Sequence, residues 1–352
     1  MRAARVRSIA AVLIIGISAL ATAADQTEAV PTRWESPVGE VRYAPGRGLQ
    51  LPDAGVMLGG YSNLNLVRDE GRPAQLGMDD LSVLVTVDPT PRLRIFSEIE
   101  FEDLFQVDDT GAAGNPEWRF TAERLYADVS ASDALNLRVG KFLTPVGEWN
   151  VIHAQPLVWT TSRPLATELP FDPHTTGVMV YGTFFPASGL VSYALYGQPT
   201  NAFDRVPAPS PADRGAGGRL AFTGADGWTV GTSYQSAEHL GDWRHLGGLD
   251  GLWRHGPLEL MGEAVVENGA RRVDRQWGLY LQGTLEVLPR LHLVGRYEHW
   301  ERAGRAPPNN LAIGGVAWKP WSWFVLKAEY LAADHRAEES PPGFKSSIAI
   351  LF

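Results

Sequence analysis

Apolar and polar residues alternate with a period of two along most of this chain, in short runs broken by Gly, Pro, Asn, Asp and Ser. That period belongs to β-strands with one face in apolar surroundings and the other in polar ones. Runs bounded by turn residues give about sixteen strands. They fall near 54–66, 78–88, 91–102, 117–129, 134–142, 175–185, 189–197, 215–224, 227–236, 243–253, 257–267, 274–286, 289–300, 310–318, 321–332 and 344–352. In 321–332, Phe324, Leu326, Ala328 and Tyr330 oppose Lys327 and Glu329. In 289–300, Leu291, Leu293 and Tyr297 oppose His292, Arg296 and Glu298, and in 91–102, Leu93, Ile95, Ile99 and Phe101 oppose Arg94, Glu98, Glu100 and Glu102. Segments 117–129 and 243–253 alternate only in part.

The connections sharpen this. Asp88–Pro91, Ser130–Asp133, Pro186–Ser188, Gly224–Gly227 and Lys319-Pro320 read as tight turns. Between them lie long polar connections such as Asp103–Glu117, Leu143–His174, Gln198–Arg214, Arg302–Asn309 and Ala333–Gly343. Long and short are expected to alternate around the whole series. A soluble sandwich has no reason to keep every second loop short, whereas an outer-membrane barrel pairs tight periplasmic turns with long outer loops. In lipid every backbone group must be paired, so the expected fold is all-β: a closed antiparallel transmembrane barrel with a polar lumen and both termini periplasmic. Trp318, Trp321 and Trp323 beside one turn, and Trp118, Trp243 and Trp300 near predicted outer ends, are expected to form two interfacial girdles.

The chain ends support this reading. Arg2, Arg5 and Arg7 precede an apolar run from Ile9 to Leu20 and then Ala21-Thr22-Ala23, the pattern of a signal peptide over 1–23. Cleavage is expected after Ala23 or Ala24, and with no Cys following, a lipid anchor is not. At the other end, Ile348, Ile350 and Phe352 share one face of a closing strand. Residues 24–53, with Pro31, Pro37, Pro45 and Pro52, read as an irregular periplasmic segment before the barrel of 54–352.

Composition then excludes several functions. Without the three signal arginines, 28 basic residues face 40 acidic ones, a net charge of −12, which argues against a nucleic-acid partner. The absence of Cys removes disulfides, thiolate metal sites and Cys nucleophiles. His239 and His245 flank a hairpin tip, but the eight His show no recognisable ligand spacing, so neither a metal nor a cofactor is expected. No G-x-S-x-G, H-E-x-x-H or P-loop occurs, and an enzyme is not expected.

Leu143–His174, the third outer loop, holds Pro145, Pro156, Pro164, Pro170 and Pro173, which favour extended irregular structure over helix. Its Trp149, Trp159 and Phe171 would be costly to leave in water, so the loop is expected to fold into the lumen. Its lining candidates are Glu148, His153, Arg163, Glu168 and Asp172, and the wall candidates are Arg94, Glu98, Glu100, Glu102, Arg138, Lys141, Glu259, Glu263, Arg296 and Glu298. Acidic rows at Glu98–Glu102 and Glu259–Glu267 predict a weak cation preference, moderated by pairing with Arg94, Arg138 or Arg296.

Arg138-Val-Gly-Lys-Phe-Leu-Thr-Pro-Val-Gly147, the Met78–Glu100 hairpin and the Phe-terminated last strand resemble the phosphate-selective porin O/P-like group of Gram-negative porins. The resemblance implies a sixteen-stranded barrel, a constricting third loop, trimers and passive diffusion. Phosphate selectivity does not carry over, because 143–174 contains one base, Arg163, and no Lys. The function expected is passive diffusion of small hydrophilic solutes or ions across the outer membrane, with lipid and those solutes as partners. A specific uptake channel for a sugar, organic acid or phosphate, and a plugged structural or adhesive barrel, are the alternatives.

Overall fold

Each barrel strand pairs antiparallel with its sequence neighbour, and the last returns to the first, so the sheet has no free edge along most of that seam. The computed structural model describes residues 31–37, 39–110, 119–201, 212–269, 275–304, 307–334 and 340–352. Among them, three short strands come first: β1 (Thr32–Ser36), β2 (Gly39–Ala44) and β3 (Gly48–Leu51). The sixteen barrel strands follow as β4 (Val56–Asp69), β5 (Gln75–Thr90), β6 (Leu93–Asp108), β7 (Arg119–Ser132), β8 (Leu135–Leu143), β9 (His174–Phe184), β10 (Gly189–Gln198), β11 (Arg214–Gly224), β12 (Trp228–His239), β13 (Asp242–His255), β14 (Leu258–Asn268), β15 (Gln276–Leu288), β16 (Leu291–Glu301), β17 (Asn309–Trp321), β18 (Phe324–Ala333) and β19 (Gly343–Leu351). Each overlaps one strand read from the alternation, and the largest extension is the far end of β6. The signal segment 1–23 and Trp118 lie outside the described residues.

Closure is made by β19 on β4, from Gly343 opposite Asp69 to Leu351 opposite Tyr61. Beyond it, Phe352 donates its N–H to the Gly60 carbonyl and accepts the Gly60 N–H, both at 2.9 Å. Nearer the start of β4 the partner changes: β3 pairs with Val56–Leu58. Within the segment read as an irregular lead-in, the described residues 32–36, 39–44 and 48–51 form a small antiparallel meander, whose Gly46 and Gly48 take left-handed backbone that Gly reaches without strain.

One rim carries seven turns, all tight, such as 91–92, 133–134 and 256–257. The opposite rim is less regular than expected. Its third connection, 144–173, is long, but β4 and β5 are joined by 70–74 and β12 and β13 by 240–241 alone, because those strands run on as hairpins. Lys319-Pro320 is not a turn; both residues belong to β17, and the turn is at 322–323.

The two imperfect alternations have separate causes. In β7 the register slips between Glu98 and Ile99 of the partner strand, leaving Glu123 as a bulge beside Arg124. Phe120 lies outside before it, and Leu125 and Val129 outside after it. In β13 the pleat is regular, but its inward face mixes Leu246 and Leu252 with Asp250. Those residues receive the third loop. Trp318, Trp321 and Trp253 stand on the outer wall toward the short-turn rim, with Trp321 and Trp323 stacked at 5.1 Å, and Trp243 stands outside toward the other rim. Trp300 departs from the expected girdle: it is 1% exposed and faces inward.

Candidate functional site: a lumen partly filled by the third loop

The loop joining β8 to β9 turns into the barrel. It is less irregular than its prolines suggested, with two single-turn helices, α1 (Trp149–Ile152) and α2 (Leu165–Glu168), and a 3-10 turn at Gln155–Leu157. Pro156 and Pro164 sit at the beginnings of such turns, where the missing N–H and fixed φ do no harm. Its apolar side docks on one half of the wall. Trp149, Val158, Leu165 and Ala166 pack with Leu252, Met261, Val265, Tyr280, Trp300, Leu311, Ile313 and Leu331, while Val146 and Phe171 pack with Leu246.

Buried charges of the wall hold the loop backbone. Glu263 Oε1 accepts the N–H groups of Glu148 at 3.1 Å and Trp149 at 2.7 Å, with the Tyr280 hydroxyl at 2.9 Å. Glu298 accepts the Leu165 N–H at 2.8 Å, and Glu329 accepts those of Thr161 at 3.1 Å and Ser162 at 2.7 Å. Lys327 Nζ donates to the Gln155 carbonyl, Gln155 Oε1 and the Thr160 carbonyl at 2.9, 2.6 and 3.0 Å. Arg296, 3% exposed, bridges Glu298 at 2.8 Å to Thr160 and Ser162. Trp159 reaches furthest toward the short-turn rim. Its Nε1 donates to Glu259 at 2.7 Å, and Lys319 Nζ lies 4.1 Å above its ring. A cavity of about 30 Å³ remains between Trp149, Trp159, Met261 and Gln282, room for one water.

Most lumen charges are paired. Arg94 binds Asp88 and Arg138 binds Asp128 through two nitrogens each, at 2.7 and 2.8 Å, and Arg138 also lies 3.7 Å over the Tyr126 ring. Glu98, fully inaccessible, takes Arg124 and the Tyr61 hydroxyl at 2.8 Å. Arg219 joins Glu148 at 2.7 Å to Asp250, Arg254 binds Glu259 at 2.6 Å, and Arg119 binds Glu102 at 2.9 Å. Arg94 and Arg138 thus pair with Asp88 and Asp128, not with the acidic rows as expected, because cross-strand register decides which charges meet.

Of the other candidates, Arg163 is absorbed into the loop, donating to Asn150 Oδ1 at 2.7 Å and the Thr167 carbonyl at 2.6 Å. Asp172 accepts the Ala212 N–H at 2.8 Å. Glu168 is exposed at the end of α2, and Glu100 is 7% exposed on the uncovered wall. His153 has neither ring nitrogen hydrogen-bonded, and burial, with the Arg124 charge, holds its imidazole well below the ordinary histidine range. Burial pushes the Glu148 carboxyl up, against the pull of Arg219. Lys141 departs from the expectation: it pairs with outward Leu125 and shares a face with Leu137 and Val139. Sequence reading did not select Lys327, Glu329, Arg219, Asp250 or Arg124 for the site. Strand alternation already put Lys327 and Glu329 on the polar face, and that was their available signal.

No protein-family profile matches the chain. A protein of Aquifex aeolicus (strain VF5), described only as uncharacterized, is 24% identical over 367 aligned positions, covering 85% of this chain and 80% of that one. Among solved structures, the outer-membrane-expressed OmpT of Vibrio cholerae superposes with a TM-score of 0.61 at 12% identity, over 84% of this chain and 97% of that one. An anion-selective porin from Comamonas acidovorans gives 0.59 at 14%, over 84% and 99%. OmpF of Salmonella typhi, in complex with daunomycin, gives 0.59 at 11%, over 84% and 97%. The porin resemblance read from the sequence therefore holds at the level of architecture, and this chain has the sixteen-stranded fold of the outer-membrane porins.

Proposed function

We propose that the protein is an outer-membrane channel for passive diffusion of small hydrophilic solutes or ions, and not an enzyme. One observation carries this: a closed barrel, apolar outside, whose third loop docks mainly on the β11–β19 half of the wall, reaching β4 with its Gln155–Leu157 turn, and leaves polar and charged residues of β5–β7 facing it. Only a sheet with all backbone groups paired is tolerated in lipid, and a polar interior has no purpose there unless it is wet. In this reading the short-turn rim and both termini are periplasmic, and residues 1–23 are removed on export. Homotrimers are the proposed assembly; one neighbour, in-vitro-folded OmpT of Vibrio cholerae, is described in a trimer form. Carboxylates exceed bases on the uncovered wall around Asp80, Glu100 and Glu123, which favours cations.

Purified protein in planar bilayers, under a potassium chloride gradient, tests both parts. Stepwise conductance with a reversal potential displaced modestly toward that of potassium is expected. An electrically silent protein contradicts the channel, and strong anion preference contradicts the charge argument. A barrel closed by its own loop is the second reading, favoured by the loop's buried apolar core and many buried hydrogen bonds. It predicts silence in the wild type and current once the loop is released.

A further inference from the structure

Beside the Gln155–Leu157 turn of the docked loop, β4 turns Asn63 and Asn65 inward, 2% and 6% exposed. Both amide atoms of Asn63, and Oδ1 of Asn65, have no hydrogen-bond partner. Buried amides are rarely left so, and such a gap points to a polar group that belongs beside them. Register puts Asn63 opposite Asp80 on β5, and Asp80 and Ser82 opposite Glu102 and Glu100 on β6. The Glu100 side chain stands within hydrogen-bond reach of Asp80 and of Glu123. Three carboxyl groups therefore line three neighbouring strands, Asp80 on β5, Glu100 on β6 and Glu123 on β7.

Most bases nearby are engaged. Arg124 is held by Glu98, His174 by Glu123 at 2.9 Å, and Arg119 by Glu102 and Asp103, while the charge of Lys141 reaches Glu123 and that of Lys345 reaches Asp79 and Glu168. Neighbouring carboxylates repel one another, and a cation between them relieves that repulsion. Among the described residues no three His, Cys, Asp or Glu converge well enough to hold a metal ion. Neighbouring strands lie about 4.8 Å apart, which suits a broader cation with several N–H donors.

We infer that this patch binds an organic cation of the ammonium or guanidinium class, with Asp80, Glu100 and Asn63 Oδ1 accepting its N–H groups. The inference deepens the channel reading and relies on it for the route by which the cation arrives.

The probe is guanidinium chloride, titrated calorimetrically into the detergent-folded full chain at constant ionic strength. Saturable binding is expected, and about tenfold weaker binding by Asp80→Asn/Glu100→Gln, since a lost charge-assisted hydrogen bond is worth roughly a decade. Asp80→Asn alone, which changes charge without volume, serves if the double variant fails to fold. Glu301→Gln, at the far rim, is expected to bind like the wild type. In bilayers guanidinium is expected to interrupt the wild-type potassium current more often than that of the variant. No binding, or equal binding by wild type and variant, overturns the site. Binding by a protein that carries no current upholds the site and overturns the channel.

Discussion

Glu263 Oε1 and the backbone N–H of Trp149 are joined at 2.7 Å across 114 residues of sequence. The bond ties the start of the third loop to the middle of β14, and the same oxygen takes two further donors. Glu263→Ala removes all three interactions and leaves two buried amide N–H groups without a partner. Loop docking is expected to weaken by about 2–4 kcal/mol, seen as larger, noisier conductance and protease cleavage within 144–173. Glu263→Gln, which keeps an acceptor oxygen, is expected to lie between wild type and Ala.

Lys327 acts at the far end of the loop. Its ammonium, 3% exposed as a residue, is satisfied wholly by Gln155 and Thr160. Lys327→Met keeps much of the volume and loses the three bonds. It is expected to release the Gln155–Thr160 turn at a cost of about 2 kcal/mol, and amide exchange across 155–162 would measure that. Unchanged protection there would show that apolar packing alone holds the loop.

Acid is expected to loosen the loop through His153. Burial favours its neutral form when docked, whereas an undocked imidazole takes up a proton near the ordinary 6.5. Its contribution is therefore intact above that value and declines as pH falls below it. Glu148 opposes the trend: its raised carboxyl favours docking at low pH, and that share is lost as pH rises through its raised value. Current noise is expected to increase from about pH 7.5 to about pH 5.5 in the wild type and to stay flat in His153→Phe.

The outer wall gives a different test. Leu281 lies midway along β15 and is 59% exposed, next to inward Gln282 at 1%. Leu281→Arg sets a charge against hydrocarbon near the bilayer centre and is expected to cost about 2–4 kcal/mol in urea titrations of membrane-inserted protein.

At Gly60 a Cβ would stand 2.2 Å from the Ser82 carbonyl oxygen and 2.5 Å from the Phe352 ring. Gly60→Ala is expected to strain the closing contact by about 1–3 kcal/mol and lower the fraction migrating as a compact, heat-modifiable barrel.

Most of the fold was legible because alternation is written residue by residue: Glu100, Lys327 and Glu329 have apolar neighbours on both sides and could only face inward. Where alternation blurred, the cause was tertiary. Leu246 and Leu252 looked out of place in β13 because their partners, Val146, Phe171 and Trp149, arrive from a loop far away in sequence. Trp300 was read as a girdle residue for the same reason. The candidate site was less legible than its wall. Arg296 and Glu298 meet within one strand, but Arg219 meets Glu148 only after the loop has folded, and Arg138 meets Asp128 only in the register set by the turn at 133–134. The slip that turns both Glu123 and Arg124 inward leaves no trace in composition.

The strand β3 makes the seam of this wall a three-part joint. From Asp69 to Tyr61 the first barrel strand is held by the last, and from Leu58 to Val56 by a stretch that precedes it in the chain. Cutting the protein at residue 52 would spare every barrel strand yet strip the lowest part of β4 of its neighbour. The tube would then begin to unzip from its foot, at the place where its two ends meet.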